Sequence, residues 1–159
     1  MTEPSFTMTP VAYVRGGREK TTDDFWGGAV SRLELAAGVP SESLDGVEEF
    51  SHVEVVFVFD RVDVARIVTG ARHPRNNPEW PLVGIFAQRG KNRPNRIGCT
   101  IVPVLAREER ALVVGELDAV NGTPVLDIKP VMAEYLPGGP VRQPVWSHEV
   151  MADYWTAGE

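Results

Sequence analysis

The sequence predicts an all-β fold, a barrel or a sandwich, from three observations. Short runs rich in β-branched and aromatic residues recur along the chain, His52 to Phe59 (HVEVVFVF) being the clearest. Turn signals separate these runs, among them Gly16-Gly17, Asn121-Gly122 and Pro137-Gly-Gly-Pro140. Little of the chain reads as helix, and there is no glycine-rich fingerprint after a strand, no phosphate loop and no serine elbow of the kind an α/β nucleotide or hydrolase fold carries.

In chain order, Pro10 to Val14 reads as a first strand, and residues 18 to 28 as a polar, glycine-rich loop with Phe25-Trp26 as an aromatic plug. Ala29 to Leu35 alternates as a half-buried second strand. Pro40-Ser41 starts a short helical turn through Leu44, Val47 and Phe50, with Ser41 as its cap. After His52 to Phe59 comes a long connection, 60 to 81, in which Val62, Val64, Ile67 and Val68 suit one helical turn or an edge strand, and His73 to Pro78 breaks regular structure. Leu82 to Ala87 and Ile97 to Leu105 are strand-like runs flanking a basic loop, so a hairpin is expected there, with Pro103 marking an edge or bulge. Arg107 to Arg110 is a second hairpin tip, leading into Ala111 to Val120; Pro124 to Pro130 is the next strand. A terminal helix is expected from about residue 141, Ser147 capping a stripe of Val150, Met151, Tyr154 and Trp155.

At 159 residues, 43% hydrophobic and 24% charged, the chain suits one domain over 1–159. It contains no apolar run near the roughly 20 residues of a membrane helix and no secretory pattern, so a soluble cytoplasmic protein is expected, with no membrane partner. A single Cys99 allows no internal disulfide, and three dispersed histidines offer no zinc-type cluster, so no metal is expected. The net charge of −6 argues against a general nucleic-acid coat, yet Arg61 to Arg96 holds eight basic and two acidic residues. That segment suits an anionic ligand held at one place, or a solvated charge run.

The densest part of that segment is IFAQRGKNRPNRIG, residues 85 to 98, with Arg89, Lys91, Arg93 and Arg96 in one short loop. Asp127 and Lys129, two apart on a strand, share one face and can bind opposite charges on a small zwitterion, or simply pair with neighbours. His52 is a candidate proton acceptor, or a strand-end histidine satisfied by its surroundings.

These residues carry a resemblance. FSHVEVVFVF (50 to 59), VGIFAQR (83 to 89), RPNRIG (93 to 98) and VGELDAVNGTPVLDIKP (114 to 130) stand in the order and spacing of the TrmO family, also called TsaA-like or VirR-like. The resemblance implies a single compact β-barrel with a few short helices, a homodimer, and S-adenosylmethionine bound near the subunit interface. It further implies N-methyl transfer to the exocyclic amine of a threonylcarbamoyl-modified adenosine in tRNA. Carried onto this chain, it assigns Arg89, Arg93, Asn95, Gly98, Asp127, Lys129 and Pro130 to the cofactor and maps His52 onto the family histidine; the acceptors open to the released proton are His52, Asp127 and solvent.

Departures from the family pattern bear on the substrate. Arg96 replaces a usual proline, Gly90 a frequent serine, and Val131 a common tyrosine. Thr22 to Gly27 (TDDFWG) stands where the tRNA enzymes carry a basic motif, and the sequence ends without the extra C-terminal domain of some members. Asp24, Trp26 and Arg96 therefore become candidate substrate contacts. A small-molecule amine or heterocycle is the alternative methyl acceptor, and a non-catalytic cofactor-sensing module is the reading from outside the enzymes.

Overall fold

Val53, Val55 and Phe57 are buried and Glu54, Val56 and Val58 are not, as period-two alternation demands of a strand with one face on a core. The same pattern repeats through the computed structural model, which describes residues 2–158. Its strands are β1 (Ala12–Gly16), β2 (Val30–Leu35), β3 (His52–Val58), β4 (Ala71–Arg72), β5 (Val83–Gly84), β6 (Ile97–Arg107), β7 (Ala111–Gly115) and β8 (Pro124–Pro130). One short helix, α1 (Val145–Val150), and several single 3-10 turns complete it. The expected β-barrel is present: β1-β2-β7-β6-β3-β8 closes on itself, with antiparallel pairing throughout.

Inward residues Val14, Leu33, Phe57, Val102, Leu112 and Val125 fill the barrel. Burying each such side chain contributes roughly 1.5–3 kcal/mol. At one end, where β3 begins, the 3-10 turns Ser41–Leu44 and Val47–Glu49 fold across the opening, and Leu44 enters it at 2% exposure. The other end, where β6 begins, is covered by three irregular segments: 17–29, 59–96 and 116–123. We call this the loop end.

Four local expectations change. Leu82 to Ala87 is no barrel strand: Val83–Gly84 pairs only with Ala71–Arg72, and Ile85–Ala87 is a 3-10 turn. The basic loop is therefore not a hairpin tip, because β6 pairs with β3 and β7 instead. An apolar run of six residues has the same pattern in either conformation, so periodicity alone does not decide. Pro40, not Ser41, is the cap residue of its turn, and no side chain caps it. Ser147 sits inside α1, donating to the Pro144 carbonyl at 2.6 Å, because extended Pro144 starts the helix at Val145; Tyr154 and Trp155 lie beyond its end.

Candidate functional site

Backbone strain gathers at the loop end. Phe25, Arg75, Asn76, Asn95, Arg96 and Glu116 all have positive φ without being glycine, and every one belongs to the segments covering that end. Such conformations cost energy and persist where the surroundings enforce them, often at binding sites. The consecutive pair Asn95 (φ 62°) and Arg96 (φ 51°) turns the basic loop sharply into β6.

The loop's cations satisfy backbone carbonyls, not acids. Arg89 donates to the Cys99 carbonyl, Arg93 to Gln88 at 2.5 Å, Lys91 to Thr21 at 3.4 Å and Arg96 to Val62 at 3.3 Å. Beneath them, the buried Gln88 amide donates to the carbonyls of Arg72 and Val83 and ties the loop to β4 and β5. Among the described residues, none of these four cations has a carboxylate within ion-pair distance. They are positioned, charged and open to an anion.

On the barrel wall, Cys99, Val56 and Asp127 lie side by side on β6, β3 and β8. A bulge puts Asp127 there. Phe57 faces Val125 while Val56 faces Asp127, so Leu126 is an extra residue in β8. Two residues apart in a regular strand would share a face; the bulge sends Val125 into the core and Asp127 to the other side. Asp127 accepts from the Ile128 amide at 2.9 Å and pairs with Lys129 at 3.3 Å, along the same strand and not across strands. With Ile128 and Leu44 it also borders a cavity of about 250 Å³, which does not include the loop cations.

Cys99, whose carbonyl anchors Arg89, thus stands two strand spacings, about 10 Å, from Asp127. Lys129 and Pro130 continue along β8 toward the far end. His52 is not brought to this row. It begins β3, four residues or about 13 Å from Val56, with Nδ1 at 2.7 Å from the Ser51 hydroxyl. Gly98 is placed by packing: a β-carbon there would stand 2.5 Å from the Phe57 ring.

The acidic 22–27 segment is internally committed. Asp24 takes a two-point ion pair from Arg75 at 2.8 and 2.9 Å. Trp26 is 5% exposed, donates to the Asp23 carbonyl and lies under the Arg18 guanidinium, 3.3 Å from its ring centre. Arg18 itself donates to the carbonyls of Lys20, Thr22, Asp24 and Phe25, and burial lowers its pKa.

Cys99 Sγ donates to Glu54 at 2.8 Å. Burial first, then that carboxylate, pushes the thiol up to about 11. At pH 8 the thiol is therefore protonated, and alkylation by iodoacetamide is expected to be slow. Glu54→Gln should quicken it; equal rates in the two proteins would show that burial alone protects the sulfur.

Sequence reasoning passed over Asp118 and Thr100 and placed Tyr154 only on a helical stripe; the three cluster beside Arg89. Thr100 donates to Asp118 at 2.5 Å and Tyr154 donates to its other oxygen. Asp118 stands within VGELDAVNGTPVLDIKP, the stretch already singled out, but nothing local tells its role.

The family described as "tRNA-methyltransferase O N-terminal domain" matches residues 24–135. The human tRNA (adenine(37)-N6)-methyltransferase is 41% identical over 96 residues, 60% of this chain and 21% of that protein. The Escherichia coli K12 protein of the same name is 38% identical over 103 residues, 61% of this chain and 43% of the relative. A probable S-adenosyl-L-methionine-binding protein of Pyrococcus abyssi is 36% identical over 95 residues, 60% and 49% of the two chains. The match thus spans between about a fifth and a half of these relatives' lengths. A crystal structure of TrmO superposes with a TM-score of 0.73 at 27% identity, covering 89% of this chain and 64% of the other. TrmO from Pseudomonas aeruginosa gives 0.70 at 26%, covering 89% and 63%.

Proposed function

The chain belongs to the tRNA-methyltransferase O N-terminal domain family, and from that membership we propose that it is an S-adenosylmethionine-dependent N-methyltransferase acting on the exocyclic amine of a threonylcarbamoyl-modified adenosine in tRNA. The observation that carries this reading is that, among the described residues, the loop cations have no carboxylate partner, with Arg89 anchored on the Cys99 carbonyl of β6. These residues fit the cofactor's charges. Arg89 and Arg93 suit its carboxylate, Asp127 its ribose hydroxyls or cationic groups, and Lys129 pairs with Asp127 at 3.3 Å. Asn95, Gly98 and Pro130 are assigned to the cofactor by the family resemblance alone.

The cofactor supplies a methyl group on a sulfonium centre. The protein's part is positional: the loop arginines hold the donor, and the target amine is presented in line with it. Asp127 is the residue proposed to take the proton released, while His52, at the far end of β3, braces the strand start with Ser51.

Asp24 does not repel phosphate as a free carboxylate would, because Arg75 neutralises it. Lys91 and Arg96 remain for the tRNA backbone, and binding to it should weaken steeply with added salt. Trp26 and Asp24 support the substrate side from beneath, through Arg18 and Arg75, and Arg96 meets it directly.

We further propose a homodimer across the wall of β6, β3 and β8. Ile101, Met132 and Leu136 are exposed there or just after β8, and a second copy would cover them and enclose the open row. Light scattering should give twice the 17.5 kDa chain mass, and a monomer at all concentrations rejects this.

The decisive experiment incubates the protein with methyl-labelled cofactor and tRNA, with and without the threonylcarbamoyl group. Label is expected only in the modified tRNA. Cofactor binding without transfer to any tRNA would reject the tRNA substrate, and label in a small amine from a metabolite extract would replace it.

A further inference from the structure

We propose that Tyr154, from the segment after α1, is a positioning residue that keeps Arg89 free for an anionic ligand by occupying Asp118. This rests on the cofactor reading above. It concerns a segment outside the residues 24–135 that the family model matches.

The segment is docked by complementary backbone, not by loose contact. Phe25, Trp26 and Gly27 donate to the carbonyls of Asp153, Tyr154 and Thr156 at 3.1, 2.8 and 3.1 Å, and Gly158 donates back to Gly27 at 3.2 Å. A β-carbon at Gly27 would stand 2.1 Å from the Trp155 carbonyl oxygen, so only glycine admits the chain this closely. Farther back, the Trp80 indole donates to Glu149 at 2.8 Å and ties α1 to the long connection.

This docking carries the Tyr154 hydroxyl to Asp118. The first half of β6 pairs with β3 on one side, while β7 joins its other side only from Val104 onward. In that gap stand Arg89, bound to the Cys99 carbonyl, and Asp118, bound through one oxygen to Thr100 and through the other to Tyr154. Burial and Asp118 hold the Tyr154 phenol well above its ordinary pKa, so it remains a donor, while Arg89 pulls the other way and is thus within electrostatic reach. Yet Arg89 and Asp118 make no ion pair. Two hydroxyl donors already occupy the carboxylate that would otherwise capture the guanidinium. Remove one, and a bare carboxylate oxygen competes for Arg89 with any ligand.

The test is calorimetry of S-adenosylmethionine binding to the full chain. Tyr154→Phe keeps the ring but frees an Asp118 oxygen, and Kd should rise about tenfold. Thr100→Val frees the other oxygen and should act alike. Adding Asp118→Asn to Tyr154→Phe removes the competing charge and should restore binding close to the unmodified chain. A merely structural hydroxyl would leave the double variant at least as weak as the single one, and that result, or unchanged binding in Tyr154→Phe, overturns the proposal. Absence of binding in the unmodified chain would instead overturn the cofactor reading, and this one with it.

Discussion

Gly98→Ala is expected to destabilise the fold by about 2–3 kcal/mol, lowering Tm by roughly 5–10 °C for a chain of this size. The added methyl would stand 2.5 Å from two atoms of the Phe57 ring and 2.9 Å from Phe59. Neither neighbour has room to give: Phe57 is 1% exposed and stacks edge-on against Phe59, ring centres 5.3 Å apart. Gly90→Ala is the internal control, since a β-carbon there meets nothing within 4 Å. Thermal melts of both variants decide the matter. Equal melting of the two would show that the barrel relaxes around Gly98 at little cost.

Arg93→Ala should raise the cofactor Kd between about tenfold and a hundredfold, the loss of one charge-assisted contact worth roughly 1.5–3 kcal/mol. Its guanidinium also reaches the carbonyls of Gln88 and Gly90, so the loop loses an internal brace as well as a charge. Arg93→Lys separates the two contributions: it keeps the charge but lacks the planar fork, and should fall between the alanine variant and the unmodified chain. Isothermal titration of the three proteins measures this. Unchanged affinity in Arg93→Ala would move the anion site to Arg89 alone.

Much of the barrel could be read from residues, because inward and outward positions alternate in β2 and β3 and turn chemistry separates them. Asp127 and Lys129 were placed on one face by the same rule. The Leu126 bulge was not legible, since an inserted residue leaves the composition of a strand unaltered while reversing the side its neighbours face. Nor was the fate of Trp26 and Asp24. As letters, TDDFWG offers exposed acids and a stacking ring; only Arg18 and Arg75, remote in sequence or reaching back over the loop, show both to be spoken for. Tyr154 was hidden for a similar reason: it belongs to no long-range pattern, and its partner Asp118 lies 36 residues away.

The strand order has a temporal consequence. Closing the barrel joins Ala12 to Val125 and Tyr13 to Pro124, so a strand near the start of the chain meets its second neighbour only after almost all of the rest has been made. The hairpin of β6 and β7 forms locally and early, whereas the β1–β8 seam must await loop closure over more than a hundred residues. Refolding is therefore expected to be slow for a chain of this length, which stopped-flow fluorescence would check.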